Sequence, residues 1–517
     1  MYVESGHFRA AAPSARFPKG GSVNQSYEEI FTRRNLLKGA GAIAASTVFA
    51  GKTAQAAEQT APPAANPDIT GILASYMSKA KDRALPAMVE EKAKEHILDT
   101  IAAMVSGTHL PPGALGEKFA KFYGGEPIST VVGTNMAIGP IEAALANGVR
   151  AQSDETDDSN APSHSHPGCS TVPAALALGE QFGISGPHFI RAVALGYDVG
   201  TRVTITLGGL NYQMRTHRDC HSMVSTFAAC AAAASAASLS TQQMRWVLDY
   251  AAQQDSGIAA WERDTHHVEK ALTFGGFPAR NGVSTALLIY HGGSGVNNIF
   301  FGPNNFFDAF NPQADPEGLI HKLGVFYEIA NTNIKKWSVG SPVQAPLNAL
   351  EYIMKKHPFK LADVKRVIVT EATDEAMTVN NREMPDICLQ YLVALMLVKG
   401  TVSFHDSHDR ALMSDPAIVA ARAKVDLVGS AAMQKLYPQL VANVEVVLND
   451  GTTYSHRVNA VLGTTANPMT HEQIADKARD LMTPFLGSAQ TEHLIDAIYH
   501  LENVSDIRTL RPLLQTT

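Results

Sequence analysis

Cysteine is nearly absent: Cys169, Cys220, Cys230 and Cys388 are the four in 517 residues, and no two of them form a C-x-x-C pair. That spacing excludes a zinc knuckle and a cysteine-held iron–sulfur cluster. No G-x-G-x-x-G follows a strand pattern and no P-loop is written, so neither a dinucleotide nor a nucleotide-phosphate cradle is expected. Basic excess is missing too: 42 Lys and Arg against 49 Asp and Glu give a net charge of −7, which argues against nucleic acid or an anionic membrane as a partner. Long apolar runs are lacking. The most suggestive, residues 39–51, is short and rich in Gly and Ala, so no stable membrane anchor is expected. What remains, 45% hydrophobic and 18% charged residues, suits two packed domains that meet a small molecule.

The N-terminus has its own grammar. Arg33 and Arg34 precede Leu36, Leu37 and Lys38, the weakly apolar run follows, and Ala54-Gln55-Ala56 has the small-x-small form that a signal peptidase accepts. This order reads as a twin-arginine signal over 1–56, a receptor-read address rather than an anchor. A Pro- and Ala-rich linker occupies 57–68. The expectation is an exported, periplasmic protein that meets the twin-arginine export machinery already folded, with Cys220 and Cys230 left as free thiols.

From 69 to 328 apolar residues recur at three- and four-residue spacing, over 88–104, 139–151, 171–182, 188–204 and 225–239, and the last three stretches are rich in Ala and Gly. They predict a buried helical core. The pattern changes over 329–466. Residues 364–371 and 441–458 alternate apolar and polar, the second around Asn449-Asp450-Gly451, predicting strands and a hairpin. Helices are expected over 342–355, 386–398 and 416–427. Over 467–517 helical spacing returns, with Thr470 and Gln473 placed as a capping box. The fold class expected is mainly α with an α+β part: a large helical domain, 69–328 and 467–517, carrying an inserted lid domain, 329–466, with a ligand cleft between them.

Four constellations carry chemistry. Asp154, Glu155, Asp157 and Asp158 precede His164 and His166 in one Pro- and Gly-bounded loop, where carboxylate repulsion is expected to draw histidines toward protonation. Acid–base chemistry, a metal site and a solvated acidic loop all remain open for it. The second constellation runs from Trp261 through Lys270 to a Gly-rich stretch ending at Arg280, read as a loop in which Lys270 and Arg280 meet an anion. Adjacent His266 and His267 point to different faces and do not share an ion. Lys335 and Lys336 flank Trp337 at the inferred domain junction, and Tyr391 follows Asp386 in an apolar helix.

Taken in order, Glu155-Thr156-Asp157-Asp158-Ser159 to His166-Pro167-Gly168, Lys270 to Arg280-Asn281-Gly282, Ile334-Lys335-Lys336-Trp337, Tyr391 and Asn467-Pro468-Met469-Thr470 resemble the MmgE/PrpD family. The resemblance implies a helical domain with an α+β lid, a homodimer, and no metal or organic cofactor. It implies a lyase, a dehydratase of a di- or tricarboxylate that moves a proton at carbon next to a carboxylate, with epimerisation or decarboxylation as alternatives. A carboxylate-binding protein that kept the fold is the non-enzymatic alternative. Catalytic roles carry over to His166, Lys270, Lys335, Tyr391, Glu155 and Asp157, and substrate contacts to Ser159, Arg280, His221, Asp219 and Lys336. Glu155 stands where the family's decarboxylases carry Asp, Ser159 where they carry Thr, and Asp219 where they carry His, which alters the expected pocket.

Overall fold

Small residues decide how the helices pack. The computed structural model describes residues 67–516; the twin-arginine motif, its cleavage site and nearly all of the linker lie outside the described residues. At the centre is Cys220–Ala236, a helix buried along its whole length. It starts where the Asp219 carboxylate accepts the N–H groups of His221 and Ser222, satisfying donors that a helix start leaves open. Gly186–Leu207, Gly168–Phe182 and Phe277–Tyr290 lie against it, and its run of alanines lets their backbones come close. All four cysteines are free and buried. No helix among the described residues is long and apolar enough to cross a membrane.

The Gly-rich stretch after Lys270 is not a loop. It is helical throughout: Val268–Ala271, a π turn over Leu272–Gly276, then Phe277–Tyr290. The wider turn accommodates Pro278, which lacks an N–H. The glycines serve packing instead. A β-carbon on Gly275 or on Gly148, in Pro140–Ala151, would overlap the other residue's carbonyl oxygen.

Two short strands, β1 (Ser129–Thr130) and β2 (Ala137–Ile138), pair at the helical edge. The main sheet has the order β4-β3-β5-β6, with β3 Val364–Ala372, β4 Val425–Ser430, β5 Ala442–Leu448 and β6 Thr453–Val458. Strand β3 runs parallel to β4 and antiparallel to β5, while β5 and β6 form the expected hairpin, with Gly451 at positive φ. Alternate residues of β5 are buried, and Ser341–Lys356 and Leu389–Lys399 pack over the sheet. The helix expected over 416–427 is a correction. Only Pro416–Arg422 is helical, capped by Asp415, and Val425–Ser430 is extended. Burial of Val425 beside Val367 of β3 outweighs the helical spacing.

Most of the buried apolar residues fall in one large cluster from 69–334 with Phe404 and 469–514, or in a second within 337–461. Thr470 caps His471–Leu486 through the expected reciprocal bonds with Gln473. That helix packs on Ala87–Gly107 and carries Lys477 back beneath the acidic loop.

Candidate active site

Every carboxylate of the acidic loop is buried: Asp154 is 3% exposed, Glu155 7%, Asp157 0% and Asp158 1%. A solvated loop is thereby excluded, because such groups persist inside only when paired or hydrogen-bonded. Each has a different partner set. Asp154 accepts the Thr156 N–H and hydroxyl, shaping the turn, and lies 3.0 Å from His408 Nε2. Asp158 accepts from the Gly168 N–H at 3.1 Å and the Tyr197 hydroxyl at 2.5 Å, with His96 Nδ1 at 2.9 Å. Lys477, ion-paired with Asp99 at 2.6 Å, donates to the Thr156 carbonyl. Sequence reading singled out neither Lys477 nor His408, because their partners lie hundreds of residues away.

Glu155 is the centre. Its carboxylate is ion-paired with Lys270 and lies 3.5 Å from Lys335 Nζ, which also donates to the Glu155 carbonyl at 2.8 Å and lies 3.8 Å from Asp157. Two backbone bonds between Ser159 and Asn333 stitch the loop to the chain two residues before Lys335. Burial works against charge on Glu155, but the ammoniums of Lys270 and Lys335 hold its carboxyl well below the ordinary range. Burial likewise opposes charge on Lys270, and Glu155 raises it above the ordinary lysine value. The pair stays ionised despite its burial.

His166 donates through Nδ1 to the Asp158 carbonyl at 2.6 Å, with Asp157 Oδ1 at 3.3 Å. Since a carbonyl only accepts, the neutral ring carries its proton on Nδ1 and keeps the Nε2 lone pair. The rings of His166 and His221 stack at 5.2 Å, and those of His221 and Phe274 at 4.2 Å. The expected drawing of histidines toward protonation holds for His408 beside Asp154 but fails for His164 within the loop. Burial pushes His164 down to about 3 and His221 and His267 to about 4. At Glu155 itself the cations are the two lysines, Lys270 and Lys335.

These groups line a cavity of about 990 Å³, at the upper end of the roughly 300–1,000 Å³ typical of ligand pockets. Of the residues expected at the site, Glu155, Ser159, His166, His221 and Lys270 line it. Lys335 and Asp157 sit immediately behind Glu155, and Asp219 lies behind His221, whose Nδ1 it meets at 3.1 Å. Three others are placed elsewhere. The Tyr391 hydroxyl donates to the Asp406 carbonyl at 2.6 Å inside the second core. Lys336 pairs with Glu351 at 2.6 Å and covers Trp337. Arg280 binds Asn281 and stacks on Phe277. The cavity gains groups not assigned beforehand: His267, held at positive φ with Nε2 unpartnered, Arg263, Arg382 and Glu375. His267 and Arg263 belong to the cluster at 261–270; Arg382 and Glu375 carry no local signal. Among the described residues no three His, Cys, Asp or Glu side chains converge as a metal site would require.

Comparison with known proteins agrees with this arrangement. The MmgE/PrpD N-terminal domain matches residues 71–319 and the MmgE/PrpD C-terminal domain residues 337–503. The chain is 26% identical over 483 residues to the cis-aconitate decarboxylase-like protein oryM of Aspergillus oryzae, covering 86% of this chain and 97% of that protein. It is 24% identical over 491 residues to a cis-aconitate decarboxylase of Aspergillus terreus, covering 88% and 98%. The human cis-aconitate decarboxylase is 24% identical over 469 residues, covering 86% and 94%. With both domain models matched in order over most of its length, the chain belongs to the MmgE/PrpD family.

Proposed function

We propose that the protein is a lyase that acts on a di- or tricarboxylate by acid–base chemistry at a carbon next to a carboxylate, with decarboxylation of a cis-aconitate-like compound as the leading reaction. The observation that carries this reading is Glu155, buried and ionised between Lys270 and Lys335, on a cavity that also holds His166 with Nε2 free to exchange a proton. The relatives' names favour loss of CO2 over loss of water.

In the forward direction the bond from carbon to one carboxylate breaks and CO2 leaves. The electron pair moves into the adjacent unsaturated acid, and carbon takes a proton from His166 Nε2. Nε2 first takes up that proton from solvent, and Asp157 and the Nδ1 bond to the Asp158 carbonyl steady the ring while it carries it. Lys270, on the cavity wall and with Lys335 behind Glu155, faces the charge that develops on the remaining carboxylate, a preorganised cationic environment that water would need to reorganise to supply. Arg263 and Arg382, at the cavity wall, take outer carboxylates. In this reading the α+β part acts as a lid, the working unit is a homodimer, and the twin-arginine signal delivers it outside the cytoplasm.

A panel of polycarboxylates in deuterated water tests the reading. The expected result is CO2 with one deuterium retained in the product, undiminished by a chelator. A new alkene without CO2 would identify a hydro-lyase, and deuterium exchange without change of composition an epimerase. Binding without turnover across the panel would refute the lyase reading in favour of a carboxylate-binding protein. His166→Asn is expected to lower kcat by about 10²–10⁴-fold, with the fold unchanged by circular dichroism.

A further inference from the structure

Behind the Glu155 centre lies a second buried charge cluster that the proposed chemistry does not use. His408 Nε2 is 3.0 Å from Asp154 Oδ2 and 3.9 Å from Asp386 Oδ2, and its Nδ1 donates to the Phe404 carbonyl at 2.8 Å. Three separate parts of the chain meet there. Asp154 belongs to the acidic loop, Asp386 to the turn Pro385–Ile387, and His408 ends the short helix Phe404–His408. Each part leads to the cavity. Asp154 precedes Glu155 and shapes its turn through Thr156. The Asp386 carbonyl accepts the N–H of Gly340, a cavity residue. Phe404 donates its N–H to Asp480 of His471–Leu486, the helix whose Lys477 holds the Thr156 carbonyl.

We propose that His408 is a positioning residue: as a cation between Asp154 and Asp386 it fastens the α+β part to the acidic loop and so holds Glu155 between Lys270 and Lys335. This rests on the acid–base reading of Glu155 and His166. Two carboxylates flanking one imidazole favour its charged form, and loss of that proton leaves Asp154 buried beside a neutral ring. The other charged groups nearby are Asp480, from the C-terminal helix, and Asp406, paired with Lys399 on His408's own side. Although burial opposes the charge, Asp154 and Asp386 raise His408 to about 9 and Asp154 itself is lowered, whereas burial lifts Asp386 to about 6. The clamp is thus complete through neutral pH and opens on the alkaline side.

The sign of the stability linkage follows. A histidine raised on folding contributes stability that is full below its ordinary value of 6.5 and is lost as pH rises through about 9.

The test uses the mature enzyme. In the wild type, the His408 ring is expected to titrate near pH 9 by nitrogen-resolved NMR, with an alkaline limb of kcat at the same pH. His408→Gln is expected to lower kcat at neutral pH by about tenfold to a hundredfold, with KM little changed, and to abolish that limb. Asp386→Asn removes a charge that raises His408, so ring titration and limb should both move to lower pH. Should His408→Gln fold poorly, Asp386→Asn and the wild-type titration still decide. A ring titrating near its ordinary value, or a His408→Gln enzyme with wild-type kcat and an unshifted limb, overturns the proposal. The NMR titration and the pH dependence of Tm need no substrate, so failure of the clamp is distinguishable from failure of the lyase reading.

Discussion

Two buried acidic clusters, one in each part of the molecule, resolve the same problem in opposite ways. In the helical part Glu155 is held ionised by Lys270 and Lys335, well below the ordinary carboxylate range despite its burial. In the α+β part Glu371 is fully buried on β3 with neither carboxylate oxygen hydrogen-bonded, and Glu375, on the cavity wall, lies close enough to repel it. Burial pushes Glu371 well above the ordinary range and Glu375 up to about 7. Residue type and burial match; the difference is two ammonium groups. The interior makes a carboxylate either a partner in an ion pair or a neutral acid, and which it becomes is decided by side chains from distant sequence.

The largest test of this contrast removes a cation. Lys270→Ala leaves Glu155 with only the more distant Lys335, so urea unfolding should show a loss of about 3 kcal/mol and turnover should vanish. Lys270→Met with Glu155→Gln removes both charges and should recover most of the stability while remaining inactive, which separates the cost of a lone charge from the value of the pair.

A smaller effect is expected from Glu371→Gln. Nothing pairs that carboxylate, so at pH 8 the neutral amide should stabilise the fold by about 1–3 kcal/mol, read as a higher Tm. Glu375 adds a pH signature of its own. Its folded value lies above the ordinary 4.5, so its contribution is full below 4.5 and lost as pH rises through about 7. Glu375→Gln should flatten Tm against pH across that window.

The smallest effects mark the boundary of the ionic centre. Tyr391→Phe removes a bond to the Asp406 carbonyl inside the second core and should cost about 1 kcal/mol of stability with turnover unchanged. Lys336→Ala breaks a partly exposed pair with Glu351 and should cost about 0–1 kcal/mol, again with turnover unchanged. A large loss of kcat in either variant would move the boundary outward.

What could be read in the sequence followed how local its cause was. The β5–β6 hairpin and the Thr470 cap depend on neighbours within a few residues, and both were legible. The strand at Val425–Ser430 owes its extended form to β3, some sixty residues earlier, and helical spacing misread it. The same holds at the site. Glu155, His166 and Lys270 announced themselves by composition, and a cluster of four carboxylates had to be handled somehow. How it is handled was hidden: Lys477 and His408 reach it from far along the chain. Tyr391 shows the converse, a residue in a recognisable sequence place whose hydroxyl is used to hold its own helix to the short helix Phe404–His408.

Gly148 lies seven residues before Glu155 and Gly275 five after Lys270, and their backbones touch where the two segments cross. This contact works as a ruler. The reach from one ionic partner to the other is set by two hydrogen atoms where any other residue would place a carbon, so the strength of the central charge pair is written into positions that carry no charge at all.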